Sequence, residues 1–110
     1  MKTKNRHYST FHIAGFSYWE GCMAFNELKI GTELTLMRED DNKFDPYAIA
    51  IYYGEYKLGF IPRAENHEIS KFLELGYSDL FEVRINKLSP DAHLENQVGV
   101  IVYIKPNKAE

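Results

Sequence analysis

The stretch REDDNKFD, residues 38–45, sets four carboxylates within seven positions: Glu39, Asp40, Asp41 and Asp45. Carboxylate oxygens at that density are ligands for a hard cation such as Ca²⁺ or Mg²⁺. The spacing does not fit a calcium loop, which needs oxygen ligands at alternating positions, then a glycine, then a distant Glu. Here Phe44 falls on an alternate position and no glycine follows. A solvated acidic turn is the better reading, and no metal is expected. A metal-dependent nuclease built on these carboxylates is the weakest alternative, because two-metal sites usually collect ligands from separate elements around a cleft.

Other chemistries find less support. His7, His12, His67 and His93 are scattered and Cys22 stands alone, so no pair has zinc-ligand spacing. One cysteine cannot make a disulfide framework. A small buried or half-buried thiol in a reducing, cytoplasmic setting is expected. There is no G-x-S-x-G, no phosphate-cradling glycine loop and no His-Glu-x-x-His. The expectation is a non-catalytic protein without a cofactor.

The aromatics are in excess. Seven Phe, eight Tyr and one Trp in 110 residues exceed what one small core must hold. Most pack inside, but Tyr18, Trp19 and Phe44 lie beside glycines or in polar turns, where a ring is harder to bury. Exposed rings on a β-surface hold single-stranded nucleic acid by stacking. The net charge of −3 counts against a grip on duplex through many phosphates, which requires displaced counterions and a basic surface. Stacking does not require it.

These residues need a frame. At 45% hydrophobic and 26% charged, 110 residues make one domain with a core and not a disordered tail. No apolar run approaches the roughly 20 residues of a membrane span, and the basic, polar start has no apolar segment of a secretory signal; no membrane association is expected. FHIAGFSYW (11–19) reads as a strand kinked at Gly15. Residues 20–31 read as a loop or one short helical turn. TELTLMRE (32–39) alternates as a strand, and DDNK (40–43) is turn chemistry. Residues 47–53 and LGFIP (58–62) form a hairpin across GEYK. RAENHEISKFLELG (63–76) changes to a helical period, with Glu65, Ile69, Phe72 and Leu73 on one face and Gly76 as the stop. Strands follow at 80–88 and 97–105. The fold class expected is mainly β: a small OB-like β-barrel of about six strands with one central helix. Residues 1–7 are expected to be a flexible arm, 8–105 the domain and 106–110 a tail.

The order of the pieces resembles the HIRAN domain family. GFSYWEG (15–21) matches an aromatic G-x-x-Y-x-x-G element. LTLMREDDNKFDPYAIAIYY (34–53) matches an L-x-R-E-x-x-N-x-(Y/F)-D-x-x-A-I core, with Arg38, Glu39, Asn42, Phe44, Asp45, Ala48 and Ile49 in register. KLGFIPR (57–63) matches a G-(Y/F)-(I/L)-(P/K)-(R/K) element. The resemblance spans residues 11 to 104, nearly the whole chain. It implies a modified OB-like barrel with a helical insertion. It also implies a module that grips the 3′ end of single-stranded DNA and serves a DNA-processing ATPase or nuclease partner in repair or restriction. Carried over by position, Phe44 stacks on the terminal base and Asp45 accepts a hydrogen bond from the free 3′-hydroxyl. Asn42 holds the turn or touches the end base, Tyr18 stacks or meets the backbone, and Arg63 lies near a phosphate. A carboxylate suits an alcohol and repels a phosphate, which accounts for an aspartate beside a ring. The chain departs from the pattern at three places. Ser17 stands where DNA-gripping members have a basic residue, Phe44 replaces the commoner Tyr, and Phe60 sits where a polar ring can occur. A peptide-binding module of the same fold is therefore the first alternative. Asp45 before Pro46 also has a purely structural reading, in which its carboxylate accepts backbone N–H groups of the turn.

Overall fold

The structure is a computed structural model and describes residues 4–93 and 96–107. Parts of the expected N-terminal arm and C-terminal tail, residues 1–3 and 108–110, lie outside the described residues.

Six strands, all antiparallel, form one curled sheet: β1 (Arg6–His12), β2 (Glu33–Arg38), β3 (Ile49–Tyr53), β4 (Tyr56–Phe60), β5 (Phe81–Leu88) and β6 (Val98–Ile104), in the order β1-β6-β5-β2-β3-β4. The alternation in the last two strands sets their register. Phe81, Val83 and Ile85 point to the core and pair with β6, whose Val98, Val100 and Val102 are likewise buried. A two-residue turn, Gly54-Glu55, closes the β3–β4 hairpin between Tyr53 and Tyr56. Gly54 at φ 55° fills the first central position, where such turns place glycine.

The fold is mainly β and OB-like, as the pattern predicts, but the barrel is not fully hydrogen-bonded. β2 pairs with β5 over only Glu33↔Arg84 and Leu34↔Val83. The two outer strands meet through one pair of backbone bonds, with Ala14 and Phe60 each donating to the other at 2.9 Å. Gly59 permits that approach. It sits at φ 146°, and a Cβ there would lie 2.4 Å from the Ala14 carbonyl oxygen.

The strand expected over 11–19 ends early. β1 stops at His12, Gly15 turns the chain at φ 72°, and Phe16–Tyr18 form a 3-10 turn. The cause is Phe16, which is buried and packs over Gly21 so closely that a Cβ there would overlap its ring. A one-turn helix, α1 (Gly21–Ala24), and a second 3-10 turn (Phe25–Glu27) follow, in line with the short helical turn read for 20–31.

The central helix, α2, spans Arg63–Glu74. Gly76, at φ 90°, stops it. The Tyr77 N–H bonds the Phe72 carbonyl at 2.9 Å and the Gly76 N–H bonds the Leu73 carbonyl at 3.1 Å. This is a Schellman motif, completed by the edge contact of the Phe72 and Tyr77 rings. The buried face matches the expected one only in part: Ile69 is fully buried and Leu73 packs against the core. Asn66, Ile69 and Ser70 are buried, while Glu65 is exposed and Phe72 sits at the edge. Asn66 and Ser70, two polar side chains one turn apart, lie inward beside Ile69, and each has a partner beneath the helix.

Candidate nucleic-acid interface

The loop joining β2 to β3, residues 39–48, is assembled by its own side chains. The Glu39 N–H extends the ladder to the Ala48 carbonyl at 2.9 Å. Asn42 Oδ1 accepts the N–H groups of Phe44 and Asp45, at 2.9 and 3.0 Å, and Asn42 Nδ2 donates to Glu39 Oε1 at 3.2 Å. Asp45 Oδ1 accepts the Tyr47 N–H at 2.9 Å. These are side-chain-capped turns, the reason Asn and Asp recur in such loops. With the backbone fixed this way, Phe44 points outward and is 85% exposed.

Arginines and α2 brace the loop from behind. Arg38 Nε donates to Ser70 Oγ at 3.0 Å, and Arg38 Nη2 reaches the Pro46 carbonyl at 3.4 Å. Arg63 Nη2 donates to the Phe44 carbonyl at 2.8 Å. Asn66 Nδ2 donates to Asp45 Oδ2 at 2.9 Å, and Arg63 Nε lies 3.7 Å from the same oxygen. Burial, the largest single influence on the Asp45 carboxyl, pushes its pKa up. The Tyr47 N–H, the Asn66 amide, Arg63 and His67 together outweigh it and hold the group below the ordinary aspartate range. Asp45 is therefore an anion at neutral pH. Asn66 is 1% exposed, and its Oδ1 has no hydrogen-bond partner among the described residues. A buried acceptor left in that state costs about 1–3 kcal/mol.

The facing wall comes from the turn after Gly15. Trp19 and Phe60 meet edge to face at 5.8 Å between centroids. Lys57 Nζ sits 3.8 Å from the Trp19 centroid and 4.6 Å from that of Phe60, and bonds Glu39 Oε2 at 2.5 Å. The cation holds the two rings and ties them to the loop through Glu39. Between the walls runs an open, mainly apolar cleft of about 440 Å³, whose lining includes Trp19, Asn42, Phe44, Asp45, Phe60 and Arg63.

Five of the seven residues singled out from sequence thus meet in one cleft: Asn42, Phe44, Asp45, Phe60 and Arg63. Tyr18, 82% exposed, and half-buried Ser17 belong to the adjoining 3-10 turn and do not line it. Trp19 has the larger share in the wall, and its place beside Tyr18 in an aromatic run was the available signal. The roles of Lys57 and Asn66 carry no such signal, because they depend on partners 18 and 21 positions away, and Glu39, though part of the HIRAN pattern, gives no sign in the sequence of its pairing with Lys57. The acidic cluster is dispersed. Asp40 pairs with Arg38, Glu39 with Lys57, and Asp45 with Asn66 and Arg63. Among the described residues no three His, Cys, Asp or Glu side chains gather to hold a metal. Cys22 is exposed, contrary to the buried thiol expected, because the short α1 turns it away from the core.

The HIRAN domain family matches residues 7–106. The chain belongs to the HIRAN family. HIRAN domains are nucleic-acid-binding modules that recognise single-stranded DNA, and are generally not catalytic. A crystal structure of a protein from Lactobacillus plantarum is similar at a TM-score of 0.74 and 20% identity, covering 91% of this chain and 94% of that one. The likeness extends the shared fold over nearly all of both chains. No curated protein matches. Within the HIRAN pattern, the residues Arg38, Glu39, Asn42 and Asp45 turn out to be the parts that build and brace one loop. No helix among the described residues is long and apolar enough to cross a membrane.

Proposed function

We propose that the cleft binds the 3′ end of single-stranded DNA, with Phe44 stacking on the terminal base and the Asp45 carboxylate accepting the 3′-hydroxyl. The observation that carries this reading is the pairing of a ring 85% exposed on a rigidly bonded loop with a neighbouring ionised carboxylate in an apolar cleft. Folding alone gives no reason to hold Phe44 in water. Each Asp45 oxygen accepts one bond within hydrogen-bond distance, and a carboxylate has about four lone-pair sites, so capacity for a hydroxyl remains. Arg63, with its side chain 71% exposed, is the cation available to a nearby phosphate. The domain would deliver DNA ends to a partner enzyme in repair or restriction.

The test is fluorescence anisotropy with short labelled strands ending in a 3′-hydroxyl, ending in a 3′-phosphate, or circular. The wild type is expected to prefer the hydroxyl end. Asp45→Asn keeps an acceptor for the Tyr47 N–H and lets the Asn66 amide turn over to accept the new one, so it should fold. It should lose the preference by about 10- to 150-fold, the worth of a charge-assisted hydrogen bond of about 1.5–3 kcal/mol. Phe44→Ala should weaken both linear strands while leaving Tm unchanged, since stacking contributes about 1–3 kcal/mol per base. Equal binding of all three strands would reject end recognition. No binding well above micromolar protein would reject DNA as the ligand and leave the aromatic surface to a protein partner or to the core.

A further inference from the structure

Asn66 is the anomaly of α2. It sits 1% exposed on the helix's buried face, beside Ile69, and its Oδ1 has no partner. An apolar side chain of the same branched shape, such as Leu, would remove the unpartnered oxygen, but at the loss of the donor to Asp45. The one hydrogen bond that the Asn66 side chain makes among the described residues runs from Nδ2 to Asp45 Oδ2, at 2.9 Å. The opposite amide orientation would set a carbonyl oxygen against a carboxylate, so the bond also fixes which end of the amide faces Asp45. A buried amide with an unpartnered oxygen, whose one hydrogen bond among the described residues goes to a cleft residue, points to a role at the cleft.

We infer that Asn66 is the positioning residue for Asp45: it clamps one carboxylate oxygen from the core side and so sets the direction in which the carboxylate meets a terminal hydroxyl. The inference rests on the proposed function of the cleft. The two oxygens are held differently. Oδ1 is tied to the loop itself through the Tyr47 N–H, and Oδ2 is tied to α2. Together the bonds stop rotation of the carboxylate about its Cβ–Cγ bond. Arg63, also on α2, is too long at 3.7 Å and too exposed to do the same.

The decisive variant is Asn66→Leu, compared with wild type on 3′-hydroxyl and 3′-phosphate strands, with Tm recorded for each protein. The expected result is a folded protein with a lower Tm, unchanged affinity for the phosphate end, and a loss of about tenfold in preference for the hydroxyl end, as when one charge-assisted hydrogen bond is misaimed. A folded variant that keeps the wild-type preference overturns the inference. So does one that loses affinity equally for both ends, which is the mark of a merely structural role. A wild type without end preference rejects the reading of the cleft itself, and the role of Asn66 falls with it. Should Asn66→Leu fail to fold, the ¹⁵N resonance of the Asn66 side-chain amide in the wild type decides. It is expected to shift on adding the hydroxyl strand and not the phosphate strand. A resonance unmoved while the Phe44 and Asp45 backbone amides respond overturns the inference.

Discussion

Phe44 and Asp45 are neighbours in the chain with opposite surroundings. The ring is in water, and the carboxylate has a side chain only 15% exposed. Asp45 accepts bonds from the turn and from α2 and also lines the cleft, so the structural reading of it from sequence is met, and the functional one rests on the proposal above. Its lowered pKa links the site to stability. So does that of Glu82, which Arg84 lowers by a direct hydrogen bond, outweighing burial. Both groups bind protons less readily folded than unfolded. Their stabilisation is therefore full above the unfolded carboxylate pKa, about 3.9–4.3, and is lost as pH falls through the lower folded values. Urea unfolding should show no change from Asp45 or Glu82 between about pH 7 and 5.5, and a decline below about pH 4. Asp45→Asn should flatten that acid decline. An unchanged acid limb in the variant would show that Asp45 is not one of the groups responsible.

At the scale of elements, the cleft exists because two chain segments are brought together at one point. The Ala14–Phe60 pair joins the outer strands, and the turn that carries Trp19 starts immediately after it. Gly59 makes the approach possible, so it is the element-level weak point. Gly59→Ala would place a methyl group 2.4 Å from the Ala14 oxygen and 2.6 Å from Ile13. It should cost at least about 1–3 kcal/mol from backbone strain alone, with the overlap added, and should loosen the Trp19 wall. Gly31 is the control. It has φ 94°, but an added methyl group there would have nothing within 4 Å, so Gly31→Ala should lower Tm less. Equal losses in thermal unfolding would mean that the strand junction is not under the steric limit described. On the other wall, α2 works as a back-plate. Its buried polar residues, Asn66 and Ser70, hold the loop through Asp45 and through Arg38.

Across the whole molecule the charge is −3, and the cleft is mainly apolar, with Arg63 the cation of its lining. Binding that relies on stacking and a hydroxyl bond uses few phosphates. One or two stacked bases and one charged hydrogen bond, set against the cost of association, give an affinity of roughly micromolar or weaker. The slope of log K against log salt should be shallow, about −0.7 to −2 for one to three phosphates on a single strand. A steep slope in an anisotropy salt titration would point to a basic surface elsewhere and away from this cleft.

The sequence by itself determined the strand count, the placement of the central helix, the HIRAN pattern, and five residues of the cleft. Each of these is local information. Alternation in β5 and β6, turn residues at 40–46 and a helix-stopping Gly76 act through neighbours in the chain. Only the tertiary structure decided the rest. It ended β1 before Phe16, because burying that ring requires Gly21 beneath it. It buried Asn66 and Ser70 beside Ile69 on α2, because their partners lie 21 and 32 positions away. It spread the acidic cluster over Arg38, Lys57 and Asn66. A carboxylate's role depends on which donor the fold brings within hydrogen-bond distance, and that distance is set by packing, not by spacing along the chain.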